Sequence, residues 1–419
     1  MIGRVEDSFR EASRTQRPAT KEESLELVKE LLHNEARELG IYLEGDQAEY
    51  LSKIAFLHIY GYAFLDLLIG DSEIEEISVI GIGKPVYVFL RNKGWRSVNA
   101  CFDDEKTIAD IVNKMSRKLG RHITIQNPRL DAMLPDGSRL HASLPPVSHG
   151  EITIRKFRER PFSPRELCEN GTLSASALAF LSLVMQGDHS VVIAGNTASG
   201  KTTTLNALFS FVPANERVLI TEETPEINIP HEHQLRLVAN RDMGISLMDL
   251  VYDSLRMRPD RMIVGEIRNK DEARALFDVL LAGQARGSYA TMHAQSVNEA
   301  LGRLKSFGIG DMDAESIDCI AIQRRMLVYD PKAKRNAEVR RVVEIAEMGN
   351  GPKTLFSLDK PKGTKLLKES RLLSRIADSF GMDARDILRE LSRREKILLK
   401  LDKEFAGFHA GVQKELYGI

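Results

Sequence analysis

Eight residues near the middle of the chain carry its strongest chemical signal. Gly195-Asn196-Thr197-Ala198-Ser199-Gly200-Lys201-Thr202 fits GxxxxGK[ST], and Thr203 follows. Val191-Val192-Ile193-Ala194 before it has the texture of a short buried strand. Leu205, Leu208 and Phe209 after it share one face of a helix. Strand, glycine loop and helix in that order form the context that distinguishes a phosphate loop from a chance glycine run. Glycines let the backbone curl until its N–H groups point at phosphate oxygens, and the helix adds the positive end of its dipole. In such a loop the lysine reaches the β- and γ-phosphates and the threonine hydroxyl ligates Mg²⁺. Residues 195–203 are therefore expected to bind a nucleotide together with Mg²⁺.

Three further segments could complete a hydrolytic site. Val218-Leu219-Ile220-Thr221 runs into Glu222-Glu223-Thr224-Pro225-Glu226. Three carboxylates so close together repel one another unless a cation or basic groups sit beside them, which suits Mg²⁺ and water. Arg258-Pro259-Asp260-Arg261-Met262-Ile263-Val264-Gly265-Glu266-Ile267-Arg268 is an apolar strand ending in Gly-Glu, with Glu266 sixty-five residues after Lys201. A carboxylate there can hold Mg²⁺ through water or orient an attacking water. Gly265 allows close approach, and the three arginines nearby strengthen the functional reading. Gly287-Ser288-Tyr289-Ala290-Thr291-Met292-His293-Ala294 is a strand ending in a histidine.

The elements around these segments fall into five stretches. Residues 1–18 show little periodicity and read as frayed. Leu25, Val28, Leu31, Leu32, Ala36 and Leu39 recur at helical spacing up to Gly40, and 47–69 reads as a second, more apolar helix ending at Gly70. Together 1–70 make a helical leader. From 71 to 157 strand patterns such as Ile77–Ile80, Val86–Leu90 and Ile152–Ile154 surround a helix over 104–119, giving a small α+β domain. Residues 158–171, with Pro161, Pro164 and Gly171, read as a linker. Alternating strands and helices over 172–348 predict an α/β unit with a mostly parallel sheet. Residues 349–419 read as a basic helical tail, with six more positive than negative charges over 353–403.

Composition narrows the function classes. The 419 residues are enough for two to four domains at roughly 100–200 residues each, and hydrophobic residues make up 42%. Lys+Arg total 59 and Asp+Glu 60, so the chain as a whole is not built to coat nucleic acid. Cys101, Cys168 and Cys319 lie far apart and form no CxxC pair, which excludes a zinc ribbon and suits a reducing compartment. The N-terminus lacks an apolar signal region. The most apolar window, Leu51 to Gly70, contains Lys53, His58 and Asp66 and reads as a buried helix, not a span. A cytoplasmic protein is expected, reaching a membrane only through a partner.

The four segments GNTASGKT, TEETPE, RPDRMIVGEIR and GSYATMHA, in this order, resemble the secretion ATPase superfamily: the motors of type II and type IV secretion, type IV pili and archaella. They match its Walker A loop, Asp box, Walker B segment and His box. The likeness extends upstream to Gly83–Val88 and to the Leu134–Arg139 turn, where it is most similar to archaeal, zinc-free members.

The resemblance implies a RecA-like P-loop motor domain with a smaller α+β N-terminal domain, working as a homo-hexameric ATPase against a polytopic inner-membrane platform protein. It implies catalytic roles for Glu222, Glu266 and His293. It implies Mg²⁺ contacts, some through water, from Thr202, Glu223, Glu226 and Glu266. It also implies an N-domain arginine at the γ-phosphate, for which Arg129, Arg139 and Arg155 are the candidates. In many members Asp stands where this chain has Glu223, and many P-loop enzymes have Asp where this chain has Gly265. The competing reading is a RecA-type nucleic-acid motor, which would want a basic channel or aromatic platforms; aromatic residues are only 6% and net charge is near zero. No specific nucleic-acid partner is expected.

Overall fold

A computed structural model describes residues 1–419 except 14–17, 91–92, 118–121, 157–159, 241–242, 284, 332–333 and 364. The chain divides into two compact units, residues 1–157 and 158–419.

The first unit opens with helices α1 (Ile2–Ala12), α2 (Lys21–Glu38), α3 (Gly45–Tyr60) and α4 (Leu65–Gly70). The frayed start is corrected over its described part: α1 buries Val5 and Phe9 against Val28, Leu32 and Ala55. One i,i+4 apolar pair is too short a pattern to read, yet it suffices once two longer helices offer a groove. The single helix expected over 47–69 is two. The Asp66 carboxylate accepts from the Tyr62 N–H, and a Cβ on Gly61 would lie 2.3 Å from Asp66 Oδ2. Helix α3 ends at Gly61, which is extended, and the Asp66 carboxylate then holds the Tyr62 N–H where the chain turns into α4.

After these come β1 (Ile74–Ile80), β2 (Pro85–Leu90), β3 (Gly94–Cys101), α5 (Glu105–Arg117), β4 (Arg129–Met133), β5 (Arg139–Ser143) and β6 (Glu151–Arg155). The last residues of the expected helix over 104–119 lie outside the described residues. The strands form one antiparallel sheet in the order β3-β2-β1-β6-β5-β4. Its buried face carries Ile77, Val79, Val86, Val88, Leu140, Ala142, Ile152 and Ile154 at alternate positions, packed on Ile108, Val112 and Met115 of α5.

The second unit runs α6 (Pro164–Glu169), α7 (Ala175–Gln186), β7 (Val191–Gly195), α8 (Lys201–Leu208), β8 (Val218–Glu222), β9 (Gln234–Val238), α9 (Leu247–Ser254) and β10 (Arg261–Ile267). It continues with α10 (Lys270–Ala282), β11 (Gly287–Met292), α11 (Val297–Ser306), α12 (Asp311–Ala314), β12 (Cys319–Asp330), β13 (Arg335–Glu347) and β14 (Lys353–Ser357). Helices α13 (Arg371–Phe380), α14 (Ala384–Ile397) and α15 (Phe405–Val412) close the chain. Residues 158–159 of the expected linker lie outside the described residues. Its later part is α6, with Pro164 at the first turn and a Ser163–Glu166 capping box.

The sheet order is β14-β13-β12-β7-β11-β10-β8-β9. From β12 to β9 all neighbours are parallel, and β13 and β14 add an antiparallel edge. Strands β7 and β8 are buried along their whole length, as continuous apolar runs covered on both faces must be. One covering layer is α7 with α13–α15, where Phe180, Leu183, Leu373, Ile376, Leu391 and Phe408 share a core. The other is α9–α11 over Val264, Leu276, Met292 and Leu304.

One of the three arginines that strengthened the functional reading of the Gly-Glu strand is a structural anchor instead. Arg261 begins β10, at the opposite end from Glu266, and is fully buried. Its Nε donates to Glu216 Oε2 at 2.5 Å and its Nη1 to the Tyr289 hydroxyl at 3.0 Å, and Asp188 completes the set. A buried guanidinium is tolerated because carboxylates and a phenol meet its donors.

Candidate functional site

Parallel strands put their C-terminal ends on one edge, where the loops of open α/β sheets bind ligands. Here that edge collects the phosphate loop after β7, Glu222 at the end of β8, Glu266 near the end of β10 and His293 just past β11. Four segments spread over about a hundred residues thus meet because their strands are neighbours.

The loop has the backbone shape its chemistry needs. Ala198 has φ 58 and Gly200 φ 91, both left-handed, and Lys201 opens α8. Lys201 is 8% exposed. Its Nζ lies 3.4 Å from Gly195 O and 3.5 Å from Asn196 O, folded over the loop. Thr202 Oγ1 donates to Glu226 Oε2 at 3.2 Å.

The acidic segment separates into distinct tasks. Glu222 is 2% exposed, and its Oε1 accepts from the backbone N–H groups of Glu226 and Ile227 at 2.7 and 2.8 Å. Arg236 Nε, on β9, lies 3.3 Å from Oε2. A Cβ on Gly265 would come within 3.1 Å of Glu222 Cγ, so the glycine of the Gly-Glu pair makes room for this side chain. Burial outweighs the two N–H donors and Arg236, and pushes the Glu222 carboxyl up to about 7. Glu226 is carried by the turn that Glu222 holds, and Asn206 of α8 pins the same turn by donating to Glu226 O and accepting from Asn228 N.

Glu223 and Glu266 share one cation. Arg268 Nε donates to Glu266 Oε2 at 2.6 Å, and its Nη1 donates to Glu223. His293 Nε2 lies 2.8 Å from Glu266 Oε1. Burial and then the Lys201 ammonium lower the His293 pKa, against the pull of Glu266. The imidazole is thus kept neutral near pH 7, and in the tautomer protonated at Nε2 it donates to Glu266.

The donor set fits Mg²⁺ of one kind. Among the described residues no group of three or more His, Cys, Asp or Glu side chains is gathered to hold a metal. Mg²⁺ does not need one: it keeps waters and phosphate oxygens and takes one or two protein ligands. Thr202 with Glu226 beside it offers that minimal set, whereas Glu223 and Glu266 are engaged by Arg268.

The candidate arginines of the first unit lie on its sheet. Arg139 and Arg155 are directly opposite on β5 and β6, and Arg129 sits on β4 opposite Ser143. All three are exposed. Two facing guanidiniums repel unless an anion comes between them.

Arg236 and Asn206 are site residues that sequence reading passed over, whereas Arg268 was one of the three arginines counted beside the Gly-Glu strand. Arg268 follows the last residue of β10, two positions after Glu266, close enough in sequence to be read with it. Arg236 reaches Glu222 from the neighbouring strand and Asn206 reaches the 226–228 turn from α8, contacts that leave no local signal.

The Glu222 geometry has a measurable consequence. A carboxyl whose pKa is raised on folding loses stability as pH rises from the unfolded value, near 4.5, to about 7, and loses no more above it. Glu222→Gln keeps an oxygen acceptor for the two N–H groups and cannot ionise. Relative to wild type it should gain on the order of 1–3 kcal/mol between pH 5 and pH 8. Parallel melting curves for the two proteins across that range would show Glu222 ionised normally and exclude this account.

Residues 77–393 match the family described as Type II/IV secretion system protein. Two uncharacterized proteins of Methanocaldococcus jannaschii are similar: one is 36% identical over 56% of this chain and 34% of its own length, the other 32% identical over 81% and 64%. The chain thus spans less than two thirds of either. The type IV secretion system protein VirB11 of Bartonella quintana is 27% identical over 61% of this chain and 89% of its own length. With three quarters of the chain inside the family match, and the family's four ordered motifs meeting on one sheet edge, the chain belongs to the type II/IV secretion system protein family.

Proposed function

We propose that this chain is an ATP-hydrolysing motor subunit of a secretion or type IV pilus-like assembly machine. The observation that carries the reading is the meeting of a phosphate loop, its buried lysine and a Glu266–His293 pair at one sheet edge. The loop N–H groups and Lys201 take the β- and γ-phosphates. Thr202, with Glu226 close by, would hold Mg²⁺, which would supply positive charge at the transferring phosphoryl group. Glu266, oriented by Arg268 and His293, positions the attacking water. Glu222 acts through the turn it holds.

The working form in this reading is a homo-hexamer at the cytoplasmic face of a membrane, docked on a polytopic platform protein. Among the described residues no helix is long and apolar enough to cross a membrane, and in this reading the platform protein supplies that contact. Motion of the N-terminal unit relative to the motor unit delivers the work. An arginine from Arg129, Arg139 or Arg155 supplies a guanidinium to the γ-phosphate, a task suited to its fixed planar fork.

The test is turnover by the purified chain. ATP hydrolysis should require Mg²⁺ and be indifferent to single- or double-stranded DNA; strong stimulation by DNA would favour the nucleic-acid motor instead. Removing the guanidinium that works in the transition state should lower kcat more than it weakens binding. At least one of Arg129→Ala, Arg139→Ala and Arg155→Ala should cut turnover by roughly 10²-fold while the melting temperature holds. Full turnover in all three would remove the first unit from the chemistry.

A further inference from the structure

The phosphate loop is held from outside by a hairpin that none of the four motifs includes. Strand β12 pairs with the loop strand β7, Gln323 standing opposite Gly195, and then runs on past the end of β7 as a hairpin with β13. At that point the loop leaves the sheet and three hairpin residues follow it. Gln323, almost fully buried, donates from Nε2 to Ser199 O at 2.8 Å. Arg340 Nε donates to Ala198 O at 2.9 Å. Asn196 pairs with the Arg325 backbone in both directions, accepting from its N–H at 2.9 Å and donating to its carbonyl at 3.1 Å. Glu338 steadies both arginines, 3.0 Å from Arg325 Nε and 3.0 Å from Arg340 Nη2.

The polarity of these contacts matters. For a loop to aim its N–H groups inward at phosphate, its carbonyls must turn outward, and an outward carbonyl away from bulk water needs a donor. Gln323 and Arg340 are those donors for Ser199 and Ala198, the two residues just before the left-handed Gly200. Ala198 is itself left-handed, a conformation that persists in a residue with a Cβ only where its surroundings enforce it. The fit leaves no slack: a Cβ on Gly195 would lie 2.0 Å from Gln323 O, and one on Gly200 3.0 Å from Gln323 Nε2.

We infer that Gln323 and Arg340 are positioning residues for the phosphate loop, and that through them the β12–β13 hairpin sets how tightly the loop takes a nucleoside di- or triphosphate. The inference rests on the ATP-binding reading above. A loop held ready in its binding shape binds more tightly because less ordering remains to be done when the phosphates arrive. That gain is common to the ground state and the transition state, so its loss should raise KM and spare kcat.

The experiment measures equilibrium Kd for ADP and ATP, steady-state kinetics and melting temperature on the full chain. Gln323→Met keeps the volume and removes the donor. Arg340→Ala removes the other, half-exposed donor, with Arg340→Lys as the conservative partner. Each loss should raise Kd for both nucleotides about tenfold, the size of one well-placed hydrogen bond to a buried acceptor. KM should rise in step, kcat at saturation should stay within about threefold, and Arg340→Lys should recover most of the affinity. Leu327→Ala, at the exposed far part of β12, should change none of these. The inference is overturned if Gln323→Met and Arg340→Ala bind like wild type. It is also overturned if affinity falls only with a large drop in melting temperature that Arg340→Lys does not repair, or if Leu327→Ala weakens binding equally. A wild-type chain that binds neither ADP nor ATP would instead bring down the phosphate-loop reading itself.

Discussion

Lys201→Ala should leave a folded protein that hydrolyses essentially no ATP. Lys201 opens α8 at the mouth of the loop, its stem buried and its ammonium folded over the Gly195 and Asn196 carbonyls. Both contacts are long for hydrogen bonds. From the mouth of the loop an ammonium on a four-carbon stem can reach a β/γ-phosphate pair. Phosphoryl transfer asks the protein for position and charge and little covalent help, so losing the mobile charge at the transferring group removes a large share of what the site supplies. Turnover should fall by about 10³-fold or more, beyond the 10²–10³ typical of a single oxyanion donor. ATP affinity should fall by about tenfold, since ground-state phosphates lose the same contact. Alanine is the best helix former, so α8 should persist and the melting temperature should stay within a few degrees. Near-normal turnover by a purified Lys201→Ala protein would exclude residues 195–203 as the phosphate site.

How much of this was open to sequence reading depends on how local the physics is. The phosphate loop was legible because its requirements are consecutive: a buried strand, small residues that turn tightly, a lysine and a hydroxyl at the start of a helix. The acidic and histidine segments were legible for a related reason, since each is a strand followed at once by its functional side chain. Parallel neighbours then fix where those ends meet. Contacts between distant segments left no such trace. Gln323 and Arg340 reach loop residues more than 120 positions away, and nothing in the Gln-Arg-Arg text of β12 marks one as a donor to a carbonyl. Arg261 misled for the converse reason. It lies five residues before Glu266, but a seven-residue strand carries the two to opposite ends of the sheet. Helix α1 was missed because its two buried residues matter only in the presence of α2 and α3. The break after α3 comes at Gly61, which leaves the helical region, and the Asp66 side chain holds the turn that follows, neither of which a period count registers.

Glu266→Gln separates the two carboxylates that could serve the attacking water. Glu266 is less buried than Glu222 and joins His293 on one oxygen and Arg268 on the other. The amide keeps the size and one acceptor and loses the charge that orients a water and draws on its proton. Arg268 retains Glu223, so the local structure has a second anchor. ATP binding should stay within about threefold of wild type, while turnover falls by roughly 10²–10⁴-fold, the range for losing a positioned acid or base. Glu222→Gln should behave differently. Its oxygen still accepts from the Glu226 and Ile227 N–H groups, so the turn that carries Glu226 survives and turnover should stay within about tenfold. The opposite outcome, an inactive Glu222→Gln beside an active Glu266→Gln, would assign the water to Glu222. That would mean its carboxylate leaves the turn and ionises once nucleotide is bound. The two cases also differ in pH dependence. If Glu222 were the base, turnover would climb through a pKa near 7, where burial has placed that group, and Glu222→Gln would abolish the climb. With Glu266 in the role, the climb would persist in Glu222→Gln or be absent from both proteins. Failure of Glu266→Gln to bind nucleotide at all would make Glu266 a structural partner of Arg268 and His293.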